Sequence, residues 1–467
     1  MLLTIMGLDK LARKMGAVIA RFWQFRELQT DLGTEVLAGV TTFMTMAYIL
    51  AVNPGILSGA IFLQSQGDLF GELVFATAIG SAIACLIMGI AANYPFALAP
   101  GMGINAFFTY TVVQKMGIDW RMALGAVFLE GMIFIALTLS QVRGAIIKAI
   151  PLCLRQAIAS GIGLFLAYIA LSQDTASGGA GIIIAHPATK TALASFHQPT
   201  TIMAIGGIIL TSALVARRIK GALLWGILAT AALSWLLGIT PLPKGIIAWP
   251  QLPVHLFGQA FVGLGQVSGD KISDFLAVGF VFLFVDLFDT IGTFTGLGIK
   301  AGYIDEQGEL PRSRAALMAD AVGTAAGAIL GTSTVTTYIE SAAGISEGGR
   351  SGFTAVIVSL LFTLSIFFTP ILAAIPAFAT APALVLVGVL MMGAVRGIRW
   401  DDPGESIPSF LTILLMPLSF SIAEGLAVGF ITYPLIKSFQ GKSREISPAV
   451  WIIAAVFVAR YVWMGIG

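Results

Sequence analysis

Charged residues are scarce in this chain: only 11% of its 467 residues are Asp, Glu, Lys or Arg, whereas soluble domains carry roughly 25%. Hydrophobic residues make up 57% of the sequence. Apolar runs of about 20 residues, the length that crosses a bilayer, recur along the whole chain, and no long polar block remains for a soluble domain. The sequence therefore predicts an integral membrane protein with one membrane domain and the lipid bilayer as its surroundings.

Cysteine and histidine, residue types that commonly bind metals or take part in redox and enzyme chemistry, are also few. The two cysteines, Cys85 and Cys153, lie in apolar or membrane-edge sequence, so a disulfide framework is not expected. The three histidines, His186, His197 and His255, lie in predicted loops without the partner motifs of a metal site or a catalytic pair. A net charge of +2 gives no case for nucleic acid. We expect no cofactor, no metal and no enzymatic activity.

The apolar segments predict an all-α polytopic protein of fourteen transmembrane segments, arranged as seven plus seven. A further apolar stretch, 447–464, has no counterpart in the first half and is interpreted as an extra terminal helix. The predicted spans lie near 34–52, 72–92, 102–117, 121–141, 152–171, 200–216 and 221–238, and then near 272–296, 312–330, 336–346, 352–370, 381–396, 406–420 and 421–438.

Basic residues predict the orientation of these spans. Most Lys and Arg fall in the N-terminal arm and in alternate loops, which the positive-inside rule assigns to the cytoplasm. Residues 1–33 show no cleavage signal and read as a cytoplasmic amphipathic arm. The expected location is the inner or plasma membrane. Because each half has an odd number of spans, the second half enters from the opposite side, and the halves form an inverted repeat.

Two stretches at matching positions of the halves predict broken helices. "ALAPGMGINAFFTY" (97–110) and "GTSTVTTYIESAAG" (331–344) fall in the third span of each half. Both open with small or β-branched residues that a stable helix disfavours. Discontinuous spans at corresponding positions indicate a substrate site near the bilayer midplane, because unwound backbone there offers free polar groups.

Acidic side chains inside predicted spans mark the same place. Each costs roughly 2.5–3.5 kcal/mol at mid-bilayer and is tolerated mainly where a cavity or a function requires it. Asp286 and Asp289 are three residues apart on one helical face, while Leu287 and Phe288 are expected to point away. The four carboxylates counted in spans are Asp286, Asp289, Asp320 and Glu340.

Simpler roles stay open for several of these residues. The acids could cap or pair at helix ends, and Asp320 has Arg312 and Arg314 two turns earlier. Asn105 could bind a heterocycle edge, since an amide donates and accepts at once, or could satisfy backbone at the break. Most hydroxyls of 332–337 are expected to serve the extended backbone, with Thr337 the one assigned to substrate. A channel would need polar rings along a path, and an anion exchanger would not place carboxylates at its site.

At these residues the chain resembles the purine nucleobase permeases, the adenine/guanine/hypoxanthine branch of the nucleobase:cation symporters in the nucleobase–ascorbate transporter superfamily. The matching stretches cover both repeats, and the one in the tenth span is the most specific. They are "EVLAGVTTFMTMAYILAVNP" (35–54), "ALAPGMGINAFFTYTVV" (97–113), "VDLFDTIGT" (285–293), "GTSTVTTYIESAAGISEGGRSGFTAV" (331–356) and "IPSFLTILLMPLSFSIAEGLAVGF" (407–430).

The resemblance implies a core domain that moves against a gate domain, with proton-coupled uptake of a purine base. The implied division is an arm (1–33), a core (34–142 and 272–370), a gate (143–271 and 371–438) and the extra helix (439–467). The binding residues implied by the resemblance are Asn105, Asp286, Asp289 and Glu340, with Gly103 allowing close backbone approach. Of these, Asn105, Asp286, Glu340 and Gly103 are assigned to substrate, together with Thr337 beside Glu340.

Coupling to protons is assigned to Asp289, Asp320 and Thr290, because burial disfavours the charged form of a carboxyl group and one acid could take up a proton outside and release it inside. Depth in the eighth span favours Asp286 over Asp289 for substrate contact. The choice among adenine, guanine and hypoxanthine, the choice of proton or sodium, a homodimer, and a carrier of another planar heterocycle such as uracil or xanthine all stay open at this point.

Overall fold

Helices form most of the described backbone, as hydrocarbon surroundings require, because a helix satisfies its own N–H and C=O groups. The computed structural model describes residues 16–140, 150–172, 179–303 and 310–464. Of the predicted N-terminal arm, residues 16–22 are helical. Residues 1–15 of the predicted arm lie outside the described residues, as do Arg143 and Lys148 between spans 4 and 5.

The first repeat contains the seven predicted spans, with small shifts at their ends. Span 1 is two consecutive helices, and span 3 begins with a strand. The helices of spans 1 to 7 are, in order, Leu32–Met46 with Ile49–Leu57, Phe70–Ile87 with Met88–Ala92, Met102–Ala106 with Phe107–Lys115, Trp120–Ser140, Leu152–Ser172, Pro199–Ala216 and Ala222–Leu236.

The second repeat follows the same plan in spans 8 to 14. The eighth span is longer than predicted, because the helix continues to Ala301. The helices are, in order, Ile272–Ala301, Ser313–Leu330, Ser341–Ser346, Gly352–Ser365 with Ile366–Phe368 and Thr369–Ala374, Ala377–Met391 with Met392–Gly397, Pro403–Ser419 and Ile422–Phe439.

Length and hydropathy alone identify nine membrane-crossing helices within the described ranges. The five spans that fall short have physical reasons: spans 3 and 10 are broken, span 7 has 15 residues, span 9 carries Arg314 and Asp320 within its 18 residues, and span 13 has 17 residues with prolines along it. Fourteen spans therefore form a fold of two inverted seven-span repeats. The predicted extra helix is present as Pro448–Met464, and the Phe457 ring lies 5.7 Å from Phe280 and 6.2 Å from Phe430, beside spans 8 and 14.

The two broken spans pair with each other at their breaks. Strand β1 (Leu98–Pro100) runs antiparallel to strand β4 (Val335–Thr337), with Leu98 opposite Thr337. The ladder is extended by hydrogen bonds from the Gly101 N–H to the Thr334 carbonyl and from the Tyr338 N–H to the Ala97 carbonyl, both 2.9 Å. Strands β2 (Ile183–His186) and β3 (Lys190–Leu193) form a separate hairpin between spans 5 and 6. The prediction of short extended stretches in spans 3 and 10 is confirmed.

The spans form two packed groups. In the core group, span 4 packs on spans 8 and 9, and span 11 packs on spans 1 and 2. In the gate group, span 5 packs on spans 12 and 13, span 6 on span 7, and span 13 on span 14. The paired strands lie in the core group, where span 5 of the gate approaches them.

Candidate functional site

A cavity of about 530 Å³ lies where the broken spans of the core face spans 5 and 12 of the gate. This volume is in the range of small-molecule sites, which are mostly apolar with a few placed polar groups. Its walls fit that description. The lining residues are Gly101, Met102, Gly103 and Ile104 of span 3, Ala159, Ile162 and Leu166 of span 5, Val285, Phe288, Asp289, Gly292 and Thr293 of span 8, Thr336 to Glu340 and Ala342 of span 10, and Val387, Leu390, Met391 and Ala394 of span 12.

Glu340 borders the cavity just before the half-helix Ser341–Ser346 of span 10. The chain turns from strand to helix at this point, which leaves its side chain half-buried between core and gate. The Tyr48 hydroxyl of span 1 donates to Glu340 Oε1 at 2.7 Å, and the Thr45 hydroxyl lies 3.4 Å from the Glu340 carbonyl oxygen. Span 1 therefore orients the carboxyl group that sequence reasoning assigned to substrate.

Asp289, rather than Asp286, borders the cavity in span 8. The lining residues Val285, Phe288, Asp289, Gly292 and Thr293 follow helical spacing on one face. Asp286 is turned about 60° from Asp289, since three residues advance a helix by about 300°, and it is fully buried outside this wall. The structure therefore places the two acids opposite to the arrangement expected from depth in the span. Phe288 also borders the cavity, on the same face of the helix as Val285 and Asp289. The expectation that Phe288 points away is therefore wrong.

Asp286 and Asp320 are brought together by Thr290, one of the residues that the sequence analysis assigned to proton coupling. The Thr290 hydroxyl lies 3.3 Å from Asp286 Oδ1, 3.0 Å from Asp320 Oδ2 and 3.0 Å from the Thr336 hydroxyl. All four residues are buried. Thr336 belongs to strand β4 and also lines the cavity. This buried cluster of Asp286, Thr290, Asp320 and Thr336, called here the threonine cluster, therefore reaches the cavity wall at one residue, Thr336.

Asn105 lies outside the cavity wall. It is fully buried, its amide donates to Asn53 Oδ1 of span 1, and its carbonyl oxygen accepts from the Ser333 hydroxyl. Asn53 in turn donates to Thr77 at 2.7 Å and to Thr332 at 3.0 Å. The amide thus joins spans 1, 3 and 10 in this conformation, which matches the alternative role at the break rather than contact with a ligand.

Thr337 and Gly103 both border the cavity, as expected for substrate-binding positions. The Thr337 side chain is buried, and within the described part of the chain its Oγ1 has no hydrogen-bond partner. Gly103 has a second role that sequence reasoning did not foresee. A Cβ atom at Gly103 would lie 2.4 Å from Ile162 Cγ2 of span 5. The missing side chain therefore lets the gate touch the core beside the cavity.

Replacing Gly103 by alanine is expected to destabilise this conformation by about 1–3 kcal/mol, the usual cost of overpacking. The melting temperature of the purified protein measures the effect. Gly206→Ala is the matched control, since nothing lies within 4 Å of a Cβ atom there. Adding Ile162→Ala to Gly103→Ala should restore the melting temperature, and equal melting of Gly103→Ala and the wild type would show that the contact is not close.

Sequence reasoning missed several polar residues near the breaks. Glu130 of span 4 is 1% exposed and accepts a hydrogen bond of 2.8 Å from the Thr334 hydroxyl. Its position inside a long apolar run was the signal that could have identified it. Tyr48 and Asn53 had no comparable signal, because tyrosine and asparagine in a span take on meaning only when their distant partners are known.

A second contact between core and gate lies at the other end of span 3. The Thr111 hydroxyl donates to the Phe420 carbonyl at 2.9 Å, and Lys115 Nζ donates to the Ser419 carbonyl at 3.2 Å. Phe420 lies in the tight turn between spans 13 and 14 with a positive φ of 52°, and its ring lies 5.2 Å from Tyr168 of span 5. This contact, defined by Thr111, Lys115, Ser419 and Phe420, joins the two groups away from the cavity. It is called here the outer-end contact because it lies at the end of span 3 that is farther from the cavity.

The arrangement suits reversible binding of a small, flat, largely apolar molecule with hydrogen-bonding edges. Asp289 and Glu340 can accept hydrogen bonds, the threonine hydroxyls can donate or accept, and Phe288 and Tyr338 offer aromatic surface. Across residues 16–140, 150–172, 179–303 and 310–464, no group of three or more His, Cys, Asp or Glu could hold a metal ion.

Solved structures share the fold at low sequence identity. The transmembrane domain of a cyanobacterial bicarbonate transporter, BicA, matches with a TM-score of 0.61 at 18% identity, covering 85% of this chain and 97% of that one. The anion transporter Slc26a9 from mouse matches with a TM-score of 0.57 at 12% identity, covering 91% of this chain and 72% of that one. At such identities the likeness concerns the fold alone, which supports the two inverted repeats.

Five curated proteins that are 38–50% identical to this chain are named permeases. MJ0326 of Methanocaldococcus jannaschii, which carries a permease name without a substrate, is 50% identical over 96% of this chain and 98% of its own. The guanine/hypoxanthine permease PbuG of Bacillus subtilis is 41% identical over 95% and 99%. The adenine permease AdeP of Escherichia coli is 40% identical over 96% of each.

A family profile gives the same result for most of the membrane domain. The Xan_ur_permease profile, described as a permease family, matches residues 33–428, which reach from span 1 into span 14 and include all the residues around the cavity. This chain is a multi-pass membrane protein and no enzyme: it belongs to that permease family, in the branch of the guanine/hypoxanthine and adenine permeases.

Proposed function

We propose that this protein imports a purine nucleobase, namely adenine, guanine or hypoxanthine, together with protons and by alternating access. The observation that carries the proposal is that Asp289 and Glu340, from two different spans, border one mostly apolar cavity. The names of the relatives PbuG and AdeP support the substrate class.

The chemistry of a purine fits this wall. The base is flat and uncharged, with ring N–H donors beside nitrogens that carry lone pairs. A carboxylate can accept from the N–H, and a protonated carboxyl group or a threonine hydroxyl can donate to the neighbouring nitrogen. Asp289 and Glu340 take the first role in our proposal, and Thr337 takes the second. The ring faces would lie against Phe288 and the apolar side chains of spans 5 and 12.

The threonine cluster is the proton site in this proposal. The Thr290 hydroxyl has one hydrogen to donate, so it cannot serve Asp286, Asp320 and Thr336 at once. Protonation of one of the two acids would remove a buried charge and would let that acid donate within the cluster. Thr336 lies in strand β4 beside Thr337, which borders the cavity. A change in the protonation of Asp286 or Asp320 would therefore alter the cavity wall without a proton binding to the base itself.

Alternating access would follow from movement of the core (34–142 and 272–370) against the gate (143–271 and 371–438). Contacts between the two support this division. Gly103 meets Ile162 beside the cavity, while the outer-end contact joins span 3 to the turn of spans 13 and 14. In the proposed cycle the outer-end contact breaks when the cavity opens to the other side, as in carriers built from inverted repeats.

The orientation proposed for this cycle rests on the distribution of basic residues. Arg217, Arg218 and Lys220, between spans 6 and 7, lie on the same side as the N-terminus by the parity of the spans. The positive-inside rule places that side in the cytoplasm. The protein is accordingly proposed to reside in the inner or plasma membrane with its N-terminus cytoplasmic.

Uptake of radiolabelled bases by cells that lack their own purine permeases tests the function. We expect uptake of at least one of adenine, guanine and hypoxanthine, abolition of its accumulation by a protonophore, and competition by unlabelled purines but not by uracil. Uptake of uracil equal to that of the purines would favour a carrier of another planar heterocycle, and accumulation that resists the protonophore would contradict proton coupling.

A further inference from the structure

A second cavity, of about 670 Å³, lies between the beginning of span 8 and the end of the terminal helix. The residues that line it are mainly apolar, and several of them, including Leu276 and Ala459, are exposed. The lining residues are Ser273, Asp274, Leu276, Ala277, Phe280, Val281, Val456, Phe457, Ala459 and Arg460. Within a bilayer such a groove faces lipid, because both helices cross the hydrocarbon with these surfaces outward.

Two opposite charges border this groove, here called the terminal groove. Arg460 Nη2 donates to Glu424 Oε1 at 3.1 Å, and Tyr461 donates to the other oxygen of Glu424. The second nitrogen, Arg460 Nη1, is buried and has no hydrogen-bond partner among the described residues. Asp274, in the first turn of span 8, supplies a half-exposed carboxylate on the opposite wall.

We propose that the terminal groove binds phosphatidylethanolamine, a lipid with a zwitterionic headgroup. A hydrocarbon chain would lie along Leu276, Phe280 and Val456. The phosphate would accept from the guanidinium of Arg460, whose side chain borders the groove and is 22% exposed, since guanidinium groups bind phosphate through charge-assisted hydrogen bonds. The ammonium group would donate to Asp274.

The charge pattern selects this lipid over others. An anionic lipid would place its net negative charge beside Asp274, where like charges repel. A choline headgroup carries no N–H to donate to that carboxylate. The terminal groove shares no lining residue with the nucleobase cavity, so this inference does not depend on the proposed substrate.

Native mass spectrometry of the full-length protein, released from membranes and exchanged with defined lipids, tests the proposal. We expect the wild type to retain phosphatidylethanolamine in preference to phosphatidylcholine and phosphatidylglycerol. Arg460→Met should lower that retention about tenfold, since a hydrogen bond to a charged group is lost. Ala459→Trp fills the groove and leaves the pair of Arg460 and Glu424 intact, so it should lower retention without disturbing the fold.

Asp274→Asn distinguishes the zwitterionic lipid from an anionic one. It should weaken phosphatidylethanolamine and strengthen phosphatidylglycerol relative to the wild type. Arg444→Met, at an exposed position near the other end of the terminal helix, is the matched control and should change nothing. Equal retention of the three lipids by the wild type, full retention by Ala459→Trp, or a preference for phosphatidylglycerol that Asp274→Asn leaves unchanged would each overturn the proposal.

Discussion

Glu340→Gln is expected to weaken purine binding by about 1.5–3 kcal/mol, the range for hydrogen bonds to charged groups. This corresponds to roughly ten- to hundredfold in affinity, since about 1.4 kcal/mol is tenfold. The variant keeps the size of the side chain and its hydrogen bond from Tyr48, which lies 2.7 Å away. Only the charge that faces the cavity is lost. Calorimetric titration of adenine, guanine and hypoxanthine into the purified protein measures the change.

Two further variants test whether the loss of binding is specific to the charge of Glu340. Glu347→Gln is the matched control, because Glu347 ends the same half-helix but pairs with Lys220 outside the cavity. It should bind with wild-type affinity. Tyr48→Phe removes the hydroxyl that orients Glu340, and we expect a smaller loss of about 0.5–1.5 kcal/mol, the net value of one hydrogen bond. Wild-type affinity in a folded Glu340→Gln protein would rule out direct contact between the charged carboxylate and the base.

Asp289→Asn should abolish detectable binding, whereas Asp286→Asn should retain binding and lose accumulation driven by a pH gradient. The reason is geometric: Asp289 borders the cavity, while Asp286 lies in the threonine cluster and has no part in the cavity wall. Titration of base into each purified variant, paired with uptake into liposomes at imposed pH gradients, separates binding from coupling.

Asp401→Asn serves as the control for this pair, since Asp401 is an exposed aspartate at the edge of the gate. It should leave both binding and accumulation unchanged. If Asp286→Asn loses binding while Asp289→Asn keeps it, the assignment from depth in the span is right and the assignment from the cavity wall is wrong. If Asp286→Asn still accumulates base against a pH gradient, the proton site lies outside the threonine cluster.

The spans and their breaks could be predicted from the sequence because the signals are local. Long apolar runs indicate a span, and β-branched or small residues at 97–103 and 331–337 indicate an interruption of the helix within it. The eighth span was predicted to end at residue 296, which is too early, because an apolar run does not define the residue at which a helix ends. In the structure the helix extends to Ala301 and ends at Gly302, where φ is 72°.

The assignment of individual side chains could not be predicted in the same way. Spacing placed Asp286 and Asp289 on one helical face, but which of the two meets the gate depends on how span 8 is rotated against spans 5 and 12. Asn105 was assigned to substrate from the chemistry of its amide and from the family resemblance, while its actual partners, Asn53 and Ser333, lie 52 and 228 residues away in sequence. Contacts at such separations leave no trace in a local pattern.

The antiparallel pairing of β1 with β4 has a consequence for how cargo travels through the membrane. Backbone hydrogen bonds hold Leu98 opposite Thr337, so neither broken span can shift by one residue without turning its side chains to the other face. In the proposed cycle the two half-helices would therefore move as one unit. A bound molecule would keep the same polar partners on both sides of the membrane, and the mostly aliphatic wall of spans 5 and 12 would be the surface past which it moves.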